Sequence, residues 1–311
     1  MTRPDRRATG SGYTGPVVDA HHHIWRQGDL PWLGGEMVPR IFGPYEPIRR
    51  DYPAEEYIAE ARECGITQSV YVQANWPLDR SLDEVLWVQE VHEATGWPTA
   101  VIGSADLFAD DAAETMRAQA ARSPLVRGTR LQLHWHEREE YRFATGPARM
   151  REPAFRRNLA VVQELGWVFE LQVFPDQMAD AADLVSAFPD TTFVLVHAGM
   201  LVDTEEHTVR TWEAGLRELA QSDNVVVKLT GQGTFVHRVD PALIALVADR
   251  VLDLFGPRRA MFGTNFPIEK LWTPMAVLVD AWRTALSGLS AEEQSWVLAE
   301  TARSVYRLPA H

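Results

Sequence analysis

Eight short apolar, β-branched runs punctuate the sequence, nearly all separated by segments able to hold a helix. They cover residues 16–23, 68–75, 98–106, 126–134, 167–174, 192–197, 224–230 and 260–265. Strands alternating with helices pair in parallel and are covered on both faces. Eight is also the number that closes an α/β barrel, and such barrels occupy about 250 residues or more as one unit. The 311 residues of the chain suffice for one. The expected fold is therefore α/β, a (β/α)8 barrel forming a single domain over residues 16–311, after a disordered leader over residues 1–15.

Helix boundary signals agree with the strand count. Residues 53–64 open with a proline and stop at Gly65, and Ser81 with Glu84 forms a Ser-x-x-Glu capping box for a helix ending before Gly96. Gly166 and Gly256 follow the segments 153–165 and 241–255, where a left-handed residue ends a helix. Residues 291–308 read as the last helix, with Trp296, Val297, Val305 and Tyr306 as packing positions.

Composition narrows the class. The chain is 46% apolar and 23% charged, and 30 Lys and Arg against 43 Asp and Glu give a net charge of -13. Such a surface repels phosphates, which excludes nucleic acid as a first partner. Cys64 is the single cysteine, so neither an internal disulfide nor a cysteine-rich zinc site is available. The leader lacks the apolar core of a secretory signal, and no run is long enough to span a membrane, so the cytoplasm is the default compartment. A homo-oligomer is compatible with the sequence.

Residues 24–52 form a long connection after the first strand and interleave Trp25, Trp32, Phe42 and Tyr45 with Arg40, Arg49 and Arg50. Its aromatic content suits an ordered cover over the barrel mouth better than a disordered segment. The arginines can bind a substrate carboxylate or pair with nearby acids.

The strongest local signal is Val-Val-Asp-Ala-His-His-His-Ile-Trp at positions 17–25. Alternate strand residues share a side, so His21 and His23 project together and His22 points the other way. At the C-terminal end of a barrel strand such a pair faces the mouth and can share a divalent metal. Other strand ends supply Arg130, Gln132, His134 and His136, then Glu170 and Gln172, His197, Lys228 and Asn265. A glutamate inside a barrel is costly unless paired or metal-bound, and convergence of these groups on one rim favours a site. His92, His207, His237 and His311 read as surface residues.

The segments Asp19-Ala20-His21-His22-His23-Ile24-Trp25, Val196-His197-Ala198-Gly199, Val227-Lys228-Leu229-Thr230-Gly231 and Met261-Phe262-Gly263-Thr264-Asn265-Phe266-Pro267 resemble the amidohydrolase-related TIM-barrel hydrolases. Within them the chain is similar to the branch of sugar-acid lactonases and the 2-pyrone-4,6-dicarboxylate lactonase. The resemblance runs from about residue 17 to 308. It implies a TIM barrel of the metal-dependent-hydrolase type, with His21 and His23 as metal ligands and Glu170 as a further ligand or catalytic group. It also implies that His197 polarises the substrate carbonyl or shuttles a proton. The metal implied is zinc or manganese; a metal-free reaction also stays open, since some lactonases of this branch work without one.

The departure lies at Asn265, where many members carry an aspartate that takes the proton from the attacking water. An amide cannot act as a base, though it can ligate weakly or hydrogen-bond a substrate. Glu170 or His197 is then the first candidate for the base, and His134 or His136 the second. The leading expectation is hydrolysis of a small cyclic ester, the lactone of a sugar acid or a carboxylated ring. Arg40, Arg49 and Arg130 would hold an anionic or hydroxylated substrate, Gln132, Gln172 and Lys228 would assist, and Trp25, Trp32 and Trp135 would wall the pocket. A metal-dependent non-oxidative decarboxylase is the alternative, and a non-catalytic ligand-binding barrel the third reading.

Overall fold

The computed structural model describes residues 13–309. Eight parallel strands pair in chain order: β1 (Val17–His22), β2 (Ile66–Val72), β3 (Ala100–Gly103), β4 (Val126–Arg130), β5 (Val168–Leu171), β6 (Phe193–Leu195), β7 (Val225–Leu229) and β8 (Ala260–Phe262). Backbone bonds beyond the end of β8 join it to β1: Asn265 N donates to His21 O, and His23 N donates to Phe266 O, each at 2.7 Å. The expected barrel is formed. Eight helices of the outer ring follow the strands in turn: α1 (Ala54–Glu63), α2 (Ser81–Thr95), α3 (Ala112–Arg122), α4 (Pro153–Glu164), α5 (Met178–Ala187), α6 (Glu206–Ala220), α7 (Pro241–Phe255) and α8 (Met275–Leu286).

Alternation along the strands sorts the apolar residues into two cores. Val18, Ala20, Val72, Val168, Val194 and Met261 pack inside the barrel, while the larger cluster fills the layer between strands and helices. Ala299, Ala302 and Tyr306 from the C-terminal segment join the inner cluster. Tyr306 O accepts from Arg127 Nε at 2.9 Å, close to the start of β4, so this segment stoppers the N-terminal end of the barrel. The expected last helix runs without a break from Ala291 to Tyr306, with a π-helical stretch, Trp296–Glu300, between Ala291–Ser295 and Thr301–Tyr306.

Two local expectations are corrected. Ser81 and Glu84 form no capping box, because Ser81 lies inside α2 and the Glu84 carboxylate turns inward to accept from Tyr71 OH at 2.7 Å and Ala74 N at 2.6 Å. Tertiary donors at the end of β2 outcompete the local backbone. The expected leader lies outside the described residues up to position 12, as does His311. Tyr13, counted in the leader, is tied down, its backbone N donating to Gln294 Oε1 and its hydroxyl to Pro16 O. The helix ends at Gly65, Gly96, Gly166 and Gly256 all show the expected positive φ. Among the described residues no helix is long and apolar enough to cross a membrane.

The connection of residues 24–52 is an ordered cover. Trp25 and Tyr52 exchange backbone hydrogen bonds at 2.9 Å, and Trp32, Phe42 and Tyr45 pack edge to face or tilted on one another. Trp32 Nε1 donates to Ala74 O at 3.0 Å, pinning the cover to the end of β2.

Candidate active site

The three histidines at the end of β1 owe their directions to a bulge. Val18 and Ala20 face the barrel interior, so simple alternation would turn His22 inward. Between Asp19 and His22 the strand advances three residues while β2 advances two, from Ser69 to Tyr71. The extra residue reverses the parity. His21 and His23 therefore turn inward, and His22 stacks flat on Tyr57 of α1 with ring centroids 3.8 Å apart. Asp19 holds the bulge: it accepts from His21 N and Thr264 N on one oxygen and from Tyr57 OH and Thr264 Oγ1 on the other.

The His21 ring centre lies 5.1 Å from that of His23 and 4.9 Å from that of His197. His23 is fixed as the Nδ1–H tautomer, because Nδ1 lies 2.6 Å from Val72 O and a carbonyl can only accept. Its Nε2 is thereby left as an acceptor. Both ring nitrogens of His21 are buried without a hydrogen-bond partner, as is Nδ1 of His197. Burial holds His21 and His23 well below the ordinary imidazole range, reinforced chiefly by Lys228 at His21 and by Arg130 at His23. Burial and then Arg130 bring His197 down to about 3. All three rings are neutral at pH 7.

His197 sits on a left-handed turn at φ 54° after β6. It packs against Gly231, where a Cβ would stand 2.3 Å from His197 Nδ1 and φ is +75°. A side chain there would displace the ring, which explains the glycine two residues after β7.

Beneath the histidines lies an ion pair. Lys228 Nζ is 2.5 Å from Glu170 Oε1, both side chains are fully buried, and Tyr306 OH donates to the same oxygen at 2.8 Å. Burial lowers Lys228 to about 8, against the pull of Glu170, so it stays charged at pH 7. Glu170 Oε2 has no partner. Lys228 is thus a partner of Glu170 and not a cavity residue, which corrects its expected role in substrate binding.

A cavity with about 530 Å³ of open space lies over this floor at the C-terminal ends of the strands. His23, His197, Arg40, Arg130, Gln172 and Asn265 line it, as do Trp25, Trp32 and Gln132. Arg130 donates to Gln73 O at 2.7 Å and Gln172 Oε1 at 3.3 Å, and keeps a buried Nε without a partner. Burial lowers its guanidinium to about 10, so it remains cationic. Arg40 lies over the Trp32 and Tyr45 rings at 5.1 and 5.8 Å, and its Nε is likewise buried and unpartnered.

Other expected residues fall elsewhere. Arg49, expected to bind substrate, donates to Leu33 O and Gly35 O within the cover and does not line the central cavity. Arg50 pairs with Glu56. His134 is buried against Phe143 and Phe174, outside the lining of the central cavity. His136 accepts from Arg138 N and borders a separate outer hollow with His207. Trp135 lies under Arg142 and not in the cavity wall. His237 contacts the cover through Ile41 O, and His92 holds Pro98 O.

Gln73, Asn75, Thr234 and Glu269 are additions that sequence reasoning missed. The first three line the cavity; the polar end of the second strand run, Gln-Ala-Asn, was the available signal for Gln73 and Asn75. Glu269 is fully buried behind Asn265. Its Oε2 accepts from Trp272 Nε1 at 2.9 Å while Oε1 is buried without a partner, and burial raises the carboxyl to about 7 against the opposing influence of Trp272, Asn265 and Gly233. A Cβ at position 233 would stand 2.2 Å from Glu269 Oε2, so the carboxylate is caged on a glycine.

His21, His23 and Glu170 Oε2 are the metal-donor types expected; His21 and Glu170 keep buried atoms without a partner, and the His23 Nε2 is an acceptor, a donor set that fits a divalent cation. Among the described residues no three His, Cys, Asp or Glu side chains stand close enough to form a ready-made ligand cluster, so these donors would have to close around the ion.

The chain belongs to the Amidohydrolase family, whose model matches residues 18–308. It is 31% identical to L-fucono-1,5-lactonase of Burkholderia multivorans over 307 residues, 94% of this chain and 96% of that one. A solved amidohydrolase of the same organism, with bound zinc, is 28% identical with a TM-score of 0.80, covering 95% of this chain and all of the other. The 5-carboxyvanillate decarboxylase of Sphingomonas paucimobilis is 14% identical with a TM-score of 0.65, over 94% of this chain and 99% of that one, and shares the fold.

Proposed function

We propose that the protein is a lactonase that opens a small cyclic ester bearing a carboxylate or hydroxyls, a sugar-acid lactone being the first class to try. The observation that carries this is the convergence of His23, His197, Asn265 and two cationic arginines on one cavity at the C-terminal barrel mouth. The lactonase relative supports the reaction class.

Arg40 and Arg130 are placed to bind the anionic or hydroxylated part of the substrate, with Gln73 and Gln172 holding Arg130 in position. Trp25 and Trp32 exclude water from one side. Asn265 lines the cavity, and its side-chain amide can orient the attacking water. His197 is the neutral imidazole able to accept the proton from that water and give it to the departing ring oxygen. Its low affinity for the proton favours the second transfer. His21 and His23, with Glu170 Oε2, would hold a divalent ion, zinc before manganese, which supplies Lewis acidity to the carbonyl.

A panel of sugar-acid and carboxylated lactones, read by proton release, tests the reading against carbon dioxide release from aromatic and unsaturated acids. Proton release from a lactone supports it; carbon dioxide from an acid with no lactone turned over overturns it.

A further inference from the structure

The central cavity does not end at Arg130. A second hollow with about 900 Å³ of open space shares Trp32, Arg40, Gln73, Asn75, Arg130 and Gln132 with it, so the two adjoin along these residues. Beyond the shared residues the walls change character: Pro31, Trp76, Pro77, Leu78, Leu131 and Phe143 carry no charge, and only the Trp76 indole is polar. Leu78 and Phe143 are 42% and 46% exposed. The exposed large apolar residues among those described are Met37, Val38, Leu78, Phe143 and Val277, and the first four lie in loops that follow β1, β2 and β4. Large apolar side chains gathered beside a polar cavity mark a surface that something apolar covers.

We propose that this groove is a limb of the substrate site that takes an alkyl or aryl substituent, so that the preferred substrate joins an anionic or lactone head to an apolar arm. Arg40 and Arg130 stand at the junction and face both spaces, which places the head in the central cavity and the arm toward Leu78 and Phe143. The inference rests on the reading of the central cavity as the receiver of that head, but its test needs no turnover.

The experiment is calorimetric titration of the whole protein with the straight-chain carboxylates butanoate, hexanoate and octanoate. Transferring a methylene out of water tightens binding about fourfold, so Kd should fall by about that factor per methylene until the groove is full. Phe143→Ser and Leu78→Ser, surface changes that leave the fold intact, should flatten this dependence, and Val277→Ser should leave it unchanged. Arg40→Gln should weaken all three carboxylates by a similar factor. A Kd independent of chain length, with butanoate binding intact, overturns the limb alone. A dependence that Phe143→Ser and Leu78→Ser leave untouched overturns it too. Failure of all three carboxylates to bind overturns both the limb and the anionic head.

Discussion

Glu269 is a buried carboxylate whose ionisation opposes folding, and the size of that opposition can be worked out. Its proton is held up to about pH 7 in the folded protein, against an ordinary 4.5, because burial disfavours the charge more than Trp272, Asn265 and Gly233 stabilise it. Between these values the folded state binds the proton and the unfolded state does not. The contribution is therefore intact below pH 4.5 and is lost as pH rises through 7. At about 1.4 kcal/mol per pH unit, the interval amounts to about 3 kcal/mol by pH 8. Glu269→Gln keeps the shape, cannot ionise, and costs about 1 kcal/mol for one imperfect hydrogen bond. The variant should be about 1 kcal/mol less stable than the parent at pH 4.5 and about 2 kcal/mol more stable at pH 8. Urea unfolding across pH 4.5 to 8, with equal m values, measures the difference. A difference that does not change with pH would mean that Glu269 holds its proton no more tightly in the folded protein than in the unfolded chain.

Lys228→Met leaves Glu170 buried with only Tyr306 beside it, and should cost about 3–5 kcal/mol in urea unfolding. Adding Glu170→Leu should recover much of that loss. Gly231→Ala puts a methyl group where His197 Nδ1 now packs, at a backbone angle that disfavours any side chain. Displacing that ring by about 1 Å should lower kcat about 100-fold on whichever lactone is turned over, with the near- and far-ultraviolet circular dichroism unchanged.

The barrel was legible because its signal is repetitive: eight apolar runs, each bounded by proline, glycine or polar punctuation, need no knowledge of what packs where. The His21 and His23 pairing was legible for the same reason, since alternation is a property of one strand. That they face inward was not secured by alternation alone, because the bulge held by Asp19 decides it. Arg40 and Arg49 look equivalent in the sequence, yet one faces the cavity and the other holds the cover together, a distinction made by how residues 24–52 fold back on Trp32. Glu84 shows the opposite failure, a local motif overruled by Tyr71 and Ala74. Glu269 lies outside any strand run, and nothing local marks a carboxylate that folding places behind Asn265.

In the proposed reaction, water opens a cyclic ester at the site ringed by His23, His197 and Asn265. A single turnover of a lactone in ¹⁸O-labelled water, followed by mass spectrometry of the product, tests it most directly. One ¹⁸O atom is expected in the carboxylate of the hydroxy acid, with loss of that product when His197 is replaced by alanine. Label in the hydroxyl group, or equal product from the His197→Ala variant, would contradict it.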